Sequence, residues 1–133
     1  MKKILISISV FLAFIIVFTS CEDNDPVSSS EDIIGSWTKI VTDTEGVSYQ
    51  VRLDIDENSY DFIILTDVPG HTDSYAEYII EDGMIKIIED ADCYGIIGYY
   101  DFSLSGNKLT LTAVDDNCEL RAMSLEGIWT AVE

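Results

Sequence analysis

The chain has 133 residues, enough for one domain of ordinary size and too few for two. Apolar residues make up 47 % and can supply a core, while 8 glycines and 2 prolines exclude a collagen-like or wholly disordered chain. With 7 basic residues against 25 acidic ones, the formal net charge is −18, which repels polyphosphate, so we expect no nucleic-acid partner.

Residues 1–20 predict a secretory signal, because two lysines precede an apolar run over 4–18 that is shorter than the ~20 residues of a transmembrane helix. The run Phe18-Thr19-Ser20-Cys21 resembles a bacterial lipobox, in which the cysteine becomes the first mature residue and carries the lipid. We therefore predict lipidation at Cys21 and an outer-membrane location in the cell envelope. An ordinary signal peptide cleaved nearby is the alternative.

Residues 21–32 are polar and acidic and show no apolar periodicity, which predicts a flexible tether between the lipid and the domain. The acidic start of this segment resembles the export signal of surface lipoproteins of the Bacteroidetes type. A solvated linker that happens to be acidic explains it equally well.

From residue 33 onward the apolar residues recur with a period of two and turn residues separate the runs, which predicts short strands. The pair Asp82-Gly83 between two apolar runs predicts a tight hairpin, because glycine accepts the positive φ of such a turn. The predicted strands cover 35–42, 48–55, 60–64, 75–80, 84–88, 99–104, 108–114 and 127–132, with a short helix within 118–125.

Eight consecutive antiparallel strands with short connections predict an all-β domain over 33–133, closed as an up-and-down barrel with a short helix before the last strand. Closure removes the exposed sheet edges. A two-sheet sandwich is the alternative architecture.

Cys93 and Cys118 predict a disulfide. If the strands over 99–104 and 108–114 pair as a hairpin, the extended register places the two cysteines opposite each other within one residue. That separation is within disulfide range, and an exported chain meets an oxidising compartment. Two free buried thiols are the alternative.

The domain opens with Gly35-Ser36-Trp37 and carries Arg121 before its closing strand. With Gly98-Tyr99-Tyr100-Asp101-Phe102 in between, this arrangement resembles the lipocalin-like domains of Bacteroidetes lipoproteins, which are small calycin-like β-barrels. The resemblance implies that Trp37 closes one barrel end with the Arg121 guanidinium laid over its ring, a cation–π contact. The shortness of the domain argues against a large cavity.

Aromatic residues at alternate strand positions are expected to face one side of the sheet, either as a ligand surface or as core. A barrel of this size holds side chains alone or one small ligand. The candidate ligand-facing residues are Tyr49, Tyr60, Phe62, Tyr75, Tyr100 and Phe102.

The sequence offers little for catalysis or metal binding, and we predict no enzyme, no cofactor and no metal site. His71 is the sole histidine and lies in a predicted turn, and no nucleophile motif is present. Asp54-x-Asp56-x-Asn58 matches only half of a calcium loop. Asp90-Ala91-Asp92 and Asp115-Asp116-Asn117 flank the predicted disulfide and could share a calcium ion, but solvated turn acids are the preferred interpretation.

These patterns predict a monomeric, lipid-anchored, lipocalin-like module outside the cytoplasm that binds a small apolar or amphipathic molecule. The alternative is a solid-core barrel that acts through its surface, as an inhibitor or as a subunit of an envelope assembly. A cavity above about 300 Å³ would favour the first. A filled interior with an exposed apolar patch would favour the second.

Overall fold

The computed structural model describes residues 30–133, so the predicted signal peptide, Cys21 and most of the predicted tether lie outside the described residues. The described chain begins with a one-turn helix, α1 (Ser30–Ile33), which includes the last residues of the predicted tether. The side chain of Ile33 is fully buried and joins the hydrophobic core. The folded domain therefore begins within the segment that composition alone predicted to be a tether.

Eight antiparallel strands close into an up-and-down barrel, in which each strand pairs with the next and the last pairs with the first. This confirms the predicted barrel and excludes the sandwich. The elements are β1 (Gly35–Thr42), β2 (Ser48–Ile55), β3 (Ser59–Ile64), β4 (Ser74–Glu81), β5 (Met84–Asp90), β6 (Gly98–Ser105), β7 (Lys108–Asp116), α2 (Glu119–Leu125) and β8 (Gly127–Ala131).

The alternation of β2 shows why the strands form. Tyr49, Val51, Leu53 and Ile55 are all buried, while the residues between them are exposed or half-buried, as a barrel wall requires. The turn at Asp82-Gly83 has positive φ at both residues, +52° and +77°, which is the conformation predicted for this hairpin.

The two ends of the barrel differ. One end carries the β2–β3, β4–β5 and β6–β7 hairpins, and we call it the hairpin end. The other end carries the β1–β2, β3–β4 and β5–β6 connections together with α2, and we call it the α2 end. Leu125 of α2 is buried in the core, so this helix covers its end of the barrel.

The middle of the barrel is filled by large side chains, among them Trp129, Tyr78 and Tyr100. The indole of Trp129 donates to the Leu125 carbonyl at 2.8 Å and packs edge-to-face on Phe62, with ring centres 6.3 Å apart. An apolar void of about 20 Å³ remains there, room for about one water molecule. Space for a ligand must therefore lie nearer an end.

The seam between β1 and β8 is the shortest pairing in the barrel, with Trp37 opposite Ala131 and Thr38 opposite Thr130. Beyond these pairs the ammonium group of Lys39 occupies the seam. Its Nζ lies 4.5 Å from the centre of the Trp129 ring and donates to the Glu126 carbonyl at 2.6 Å.

Candidate functional site: a cavity at the α2 end

A cavity of about 200 Å³ lies at the α2 end of the barrel. Its walls come from β2 to β5, the β3–β4 and β5–β6 connections and α2, so the site depends on the closed fold. The lining mixes aromatic, hydroxyl and charged groups. The principal lining residues are Tyr49, Tyr60, Phe62, His71, Asp90 and Arg121.

Two tyrosine hydroxyls in this cavity have no hydrogen-bond partner among the described residues, those of Tyr49 and Tyr60. Both side chains are more than nine-tenths buried. Among the described residues, Oδ1 of Asp54 is the sole side-chain nitrogen or oxygen atom that is buried from solvent and also lacks a hydrogen-bond partner. Since the Tyr49 and Tyr60 hydroxyls lack a partner too, each must be accessible to solvent, and the open space that they line is the cavity.

Both phenols are neutral at ordinary pH. Burial, with a smaller contribution from Asp43, raises the pKa of Tyr49, and burial followed by the charge of Asp90 raises the pKa of Tyr60 well above its usual value. Each hydroxyl can therefore donate one hydrogen bond and accept others.

Arg121, in α2, carries the buried charge beside the cavity. Its Nε and Nη2 donate hydrogen bonds of 2.7 and 2.8 Å to the Asp116 carboxylate. Nη2 also donates to the Ile96 carbonyl at 2.9 Å. Its Nη1 donates to Asp90 over a longer 3.3 Å. The Tyr100 hydroxyl donates to the same Asp116 carboxylate. Each of these partners comes from a different part of the chain, so the cluster joins α2 to β5, β6 and β7.

The electrostatics keep this cluster ionised. Burial, the largest single influence, would lower the pKa of Arg121 and raise that of Asp116. Their mutual hydrogen bonds, the hydrogen bonds from Tyr100 and the Cys118 amide to Asp116 and the neighbouring charges together outweigh burial, so the pKa of Arg121 is raised and that of Asp116 is lowered. With Asp90 as second carboxylate, one positive charge faces two negative ones. Gly98 packs tightly against the pair, since a Cβ there would lie 2.6 Å from Oδ2 of Asp116.

His71 lies in the β3–β4 connection and lines the cavity. Its Nε2 is 3.2 Å from Oδ2 of Asp43, and its ring packs on Tyr49 with 4.8 Å between ring centres. The Val47 amide and then His71 hold the pKa of Asp43 below its usual value. Sequence reasoning placed His71 in a turn and missed its place in the cavity, because its partners are brought to it by barrel closure.

The Cys93–Cys118 disulfide is present, with 6.0 Å between the Cα atoms, which confirms the predicted pairing. The route differs from the one predicted, because β6 and β7 stop pairing at Gly98 and Asp116. Cys93 lies in the β5–β6 connection and Cys118 directly precedes α2. The bond therefore ties the start of α2 to the cavity wall.

Trp37 and Arg121 do not form the predicted barrel-closing pair, and that interpretation is wrong. The Trp37 indole donates to the Ile33 carbonyl at 2.9 Å near the hairpin end, whereas Arg121 is bound to carboxylates at the α2 end. A cation does lie over a tryptophan, but the pair is Lys39 and Trp129.

The six candidate ligand-facing aromatics divide into three groups. Tyr49, Tyr60 and Phe62 line the cavity. Tyr100 is buried beside Asp116, and Phe102 is half-buried and packed against the core.

Tyr75 points outward, with 46 % of its surface exposed and its hydroxyl directed to Glu77. Its expected inward position is therefore wrong. In β4 the inward residues are Ala76 and Tyr78. Because this strand carries apolar residues on both faces, its sequence does not show which set of alternate positions faces the core.

Asp90 and Asp116, from the two acidic runs considered for calcium, do converge, but on the Arg121 guanidinium. Among the described residues, no group of three or more His, Cys, Asp or Glu side chains is placed to hold a metal ion.

Fold and site together define a small eight-stranded antiparallel β-barrel with a partly polar cavity under a short helix. Comparison with protein-family models, with curated proteins and with solved structures found no match. In the part of the chain that the structure describes, no helix is long and apolar enough to cross a membrane.

Proposed function

We propose that the protein is a binding module whose cavity at the α2 end takes a small amphipathic molecule. The observation that supports this most is the pair of nearly buried, unpartnered hydroxyls of Tyr49 and Tyr60 facing that cavity. Because neither hydroxyl is bound to another protein group, a ligand in the cavity can hydrogen-bond to both without breaking a contact within the protein.

The volume of the cavity limits the ligand. At about 200 Å³ the cavity does not reach the ~300 Å³ named in the sequence analysis, which is the lower limit of typical pockets for drug-sized molecules, so only a smaller ligand fits. A cavity of roughly 150 Å³ accepts benzene. The ligand is accordingly a single ring with a short polar group, or a chain of similar volume.

Binding rather than catalysis is favoured by the surroundings of His71. Its Nε2 is directed to Asp43, and no hydroxyl or thiol among the described residues is hydrogen-bonded to its ring. A nucleophile activated by a base needs such contact.

The envelope location belongs to the same proposal. A lipid on Cys21 would hold the barrel at the outer membrane as a monomer, and the acidic composition keeps it soluble and away from anionic head groups. The disulfide fits an oxidising compartment. Metabolic labelling with palmitate tests the anchor: label should appear in the wild-type protein and be lost in Cys21→Ser.

Native mass spectrometry of the full-length protein from its own host tests the binding function. We expect an additional bound mass on the wild-type protein and its loss in Ser74→Trp, which fills the cavity. Ser103→Trp, on the exposed face of β6, is the matched control and should retain the mass. An equal result for the two variants, or no bound mass at all, contradicts the proposal.

A second candidate function is favoured by the outer surface near the β1–β8 seam. An open groove of about 430 Å³ there includes Ile40, which is 72 % exposed, with Ile128 and Met123 also exposed. Exposed apolar groups of this kind mark interaction surfaces. A photo-crosslinker placed at position 40 in the host would then yield a protein adduct that one placed at Asp101 does not.

A further inference from the structure

We infer that the cavity at the α2 end selects a small organic cation, namely a protonated amine carried on an aromatic or apolar body. The inference rests on the proposed function and adds the sign of the ligand's charge.

The charges around the cavity favour a cation. Arg121 donates two short hydrogen bonds to the Asp116 carboxylate and a single, longer one to Asp90. Asp90 is only 5 % exposed, and Asp92, also in the lining, has an exposed side chain. The lining thus carries one guanidinium and two carboxylates, those of Asp90 and Asp92, while Asp116 lies behind it and is bound to Arg121. The wall therefore has a net negative charge, which repels a carboxylate ligand such as a fatty acid.

Tyr60 provides an observation independent of the acidic residues. Its side chain is 6 % exposed, and its hydroxyl, which has no partner among the described residues, faces the cavity. The charges that act on this hydroxyl most strongly are those of Asp90 and Arg121, so it lies near the acidic wall. An ammonium group has three donors and no acceptor, which matches a phenol oxygen beside carboxylate oxygens.

The remaining surface suits the body of such a ligand. The rings of Tyr49 and Phe62 line the same space, and aromatic rings attract cations and pack on apolar groups. The volume accepts a single ring with a short amine-bearing chain.

Three probes of the same shape test the inference on the full-length protein: 2-phenylethylamine, 2-phenylethanol and phenylacetate. Their dissociation constants can be measured by NMR titration, with detergent alone as the blank. We expect the amine to bind about tenfold more tightly than the alcohol, because charge-assisted hydrogen bonds are about twice as strong as neutral ones. Phenylacetate should not bind measurably.

Single substitutions test which side chains produce the preference for the amine. Asp92→Asn changes an exposed side chain and should weaken amine binding severalfold, with a much smaller effect on alcohol binding. Asp101→Asn makes the same charge change on the exposed face of β6 and should alter neither. Tyr60→Phe should weaken both the amine and the alcohol.

The outcomes separate the two proposals. Equal binding of the three probes, or tighter binding of phenylacetate, overturns the cation inference and leaves the binding function standing. If no probe binds and native mass spectrometry finds no ligand, both are wrong. Equal loss of amine binding in Asp101→Asn and Asp92→Asn also overturns the inference, because the effect would then come from overall charge.

Discussion

Arg121 is the residue whose surroundings most determine the α2 end of the barrel. Its guanidinium is buried and bound to two carboxylates and a carbonyl from separate segments. Removing one partner from a buried ion pair leaves the others charged in a poorly solvated place. The loss of this side chain should therefore lower the free energy of unfolding much more than the loss of an arginine at the surface.

Arg121→Met should lower the free energy of unfolding by about 3–5 kcal/mol, because Asp116 and Asp90 lose their counter-charge. Arg52→Met is the control: its pair with Asp54 is partly exposed, and we expect a loss of about 1 kcal/mol or less. Urea denaturation of both variants measures the difference. Equal losses would show that the buried cluster contributes no more than a surface ion pair.

Lys39 gives the stability a predictable pH dependence. Burial in the β1–β8 seam lowers its pKa from 10.5 to about 8, and the nearby Glu126 opposes this in part. Between these two pH values the unfolded chain binds more protons than the folded one, so the contribution of Lys39 to stability rises with pH across that window. Relative to Lys39→Met, the wild-type protein should gain stability from about pH 8 to about pH 10 in chemical denaturation.

Lys86→Met is the matched control for this pH dependence. The hydrogen bonds that Lys86 donates to Glu81, followed by one involving Tyr99, raise the pKa of Lys86 above its usual value. Its stabilising contribution is therefore fully present below the unfolded pKa and stays constant through the same window. A Lys39→Met difference that is as flat as that of Lys86→Met would contradict the lowered pKa.

At the level of elements, the strand positions and the Asp82-Gly83 turn follow from local patterns, whereas the arrangement of the longer connections does not. The predicted β1 and β2 agree with the structure, because alternation and turn residues act over a few positions. In β4 the alternation is ambiguous, and its inward face was misassigned at Tyr75. The structure of the β5–β6 connection and of α2 depends on the disulfide and on Arg121, which join segments far apart in sequence.

The disulfide is expected to be a major source of stability for these connections. With 25 positions between the cysteines, the chain-entropy estimate is about 3.5 kcal/mol. Replacing both Cys93 and Cys118 by alanine should lower the free energy of unfolding by about that amount in urea denaturation. Reduction of the wild-type protein should reproduce the loss, and an unchanged urea midpoint after reduction would contradict the prediction.

For the molecule as a whole, the β1–β8 seam is expected to be the least stable strand pairing of the barrel. That seam has two paired positions, whereas β6 and β7 pair from Gly98–Asp116 to Ser105–Lys108. On its outer face Ile40 and Ile128 are exposed, so the apolar burial at this seam comes from its inner face alone. Local opening should therefore begin there.

Amide hydrogen exchange tests this order of opening. Amides of β8, and those of β1 after Thr38, should exchange faster than the amides of the paired parts of β6 and β7, because fewer hydrogen bonds must break to expose them. Mass spectrometry of peptides from the exchanged protein resolves the two regions. Uniform protection around the barrel would show that the seam opens only with global unfolding.

The sequence by itself determined the number and order of the strands, the Asp82-Gly83 hairpin, the helix before the last strand and the pairing of Cys93 with Cys118. These features depend on periodicity, turn geometry and the few cysteines available, which are local or countable. Only the tertiary structure decided which cation lies over which tryptophan, where the Arg121 charge is neutralised and that His71 lines a cavity. Those contacts arise when closure brings distant segments together, and no local pattern specifies which side chains then meet.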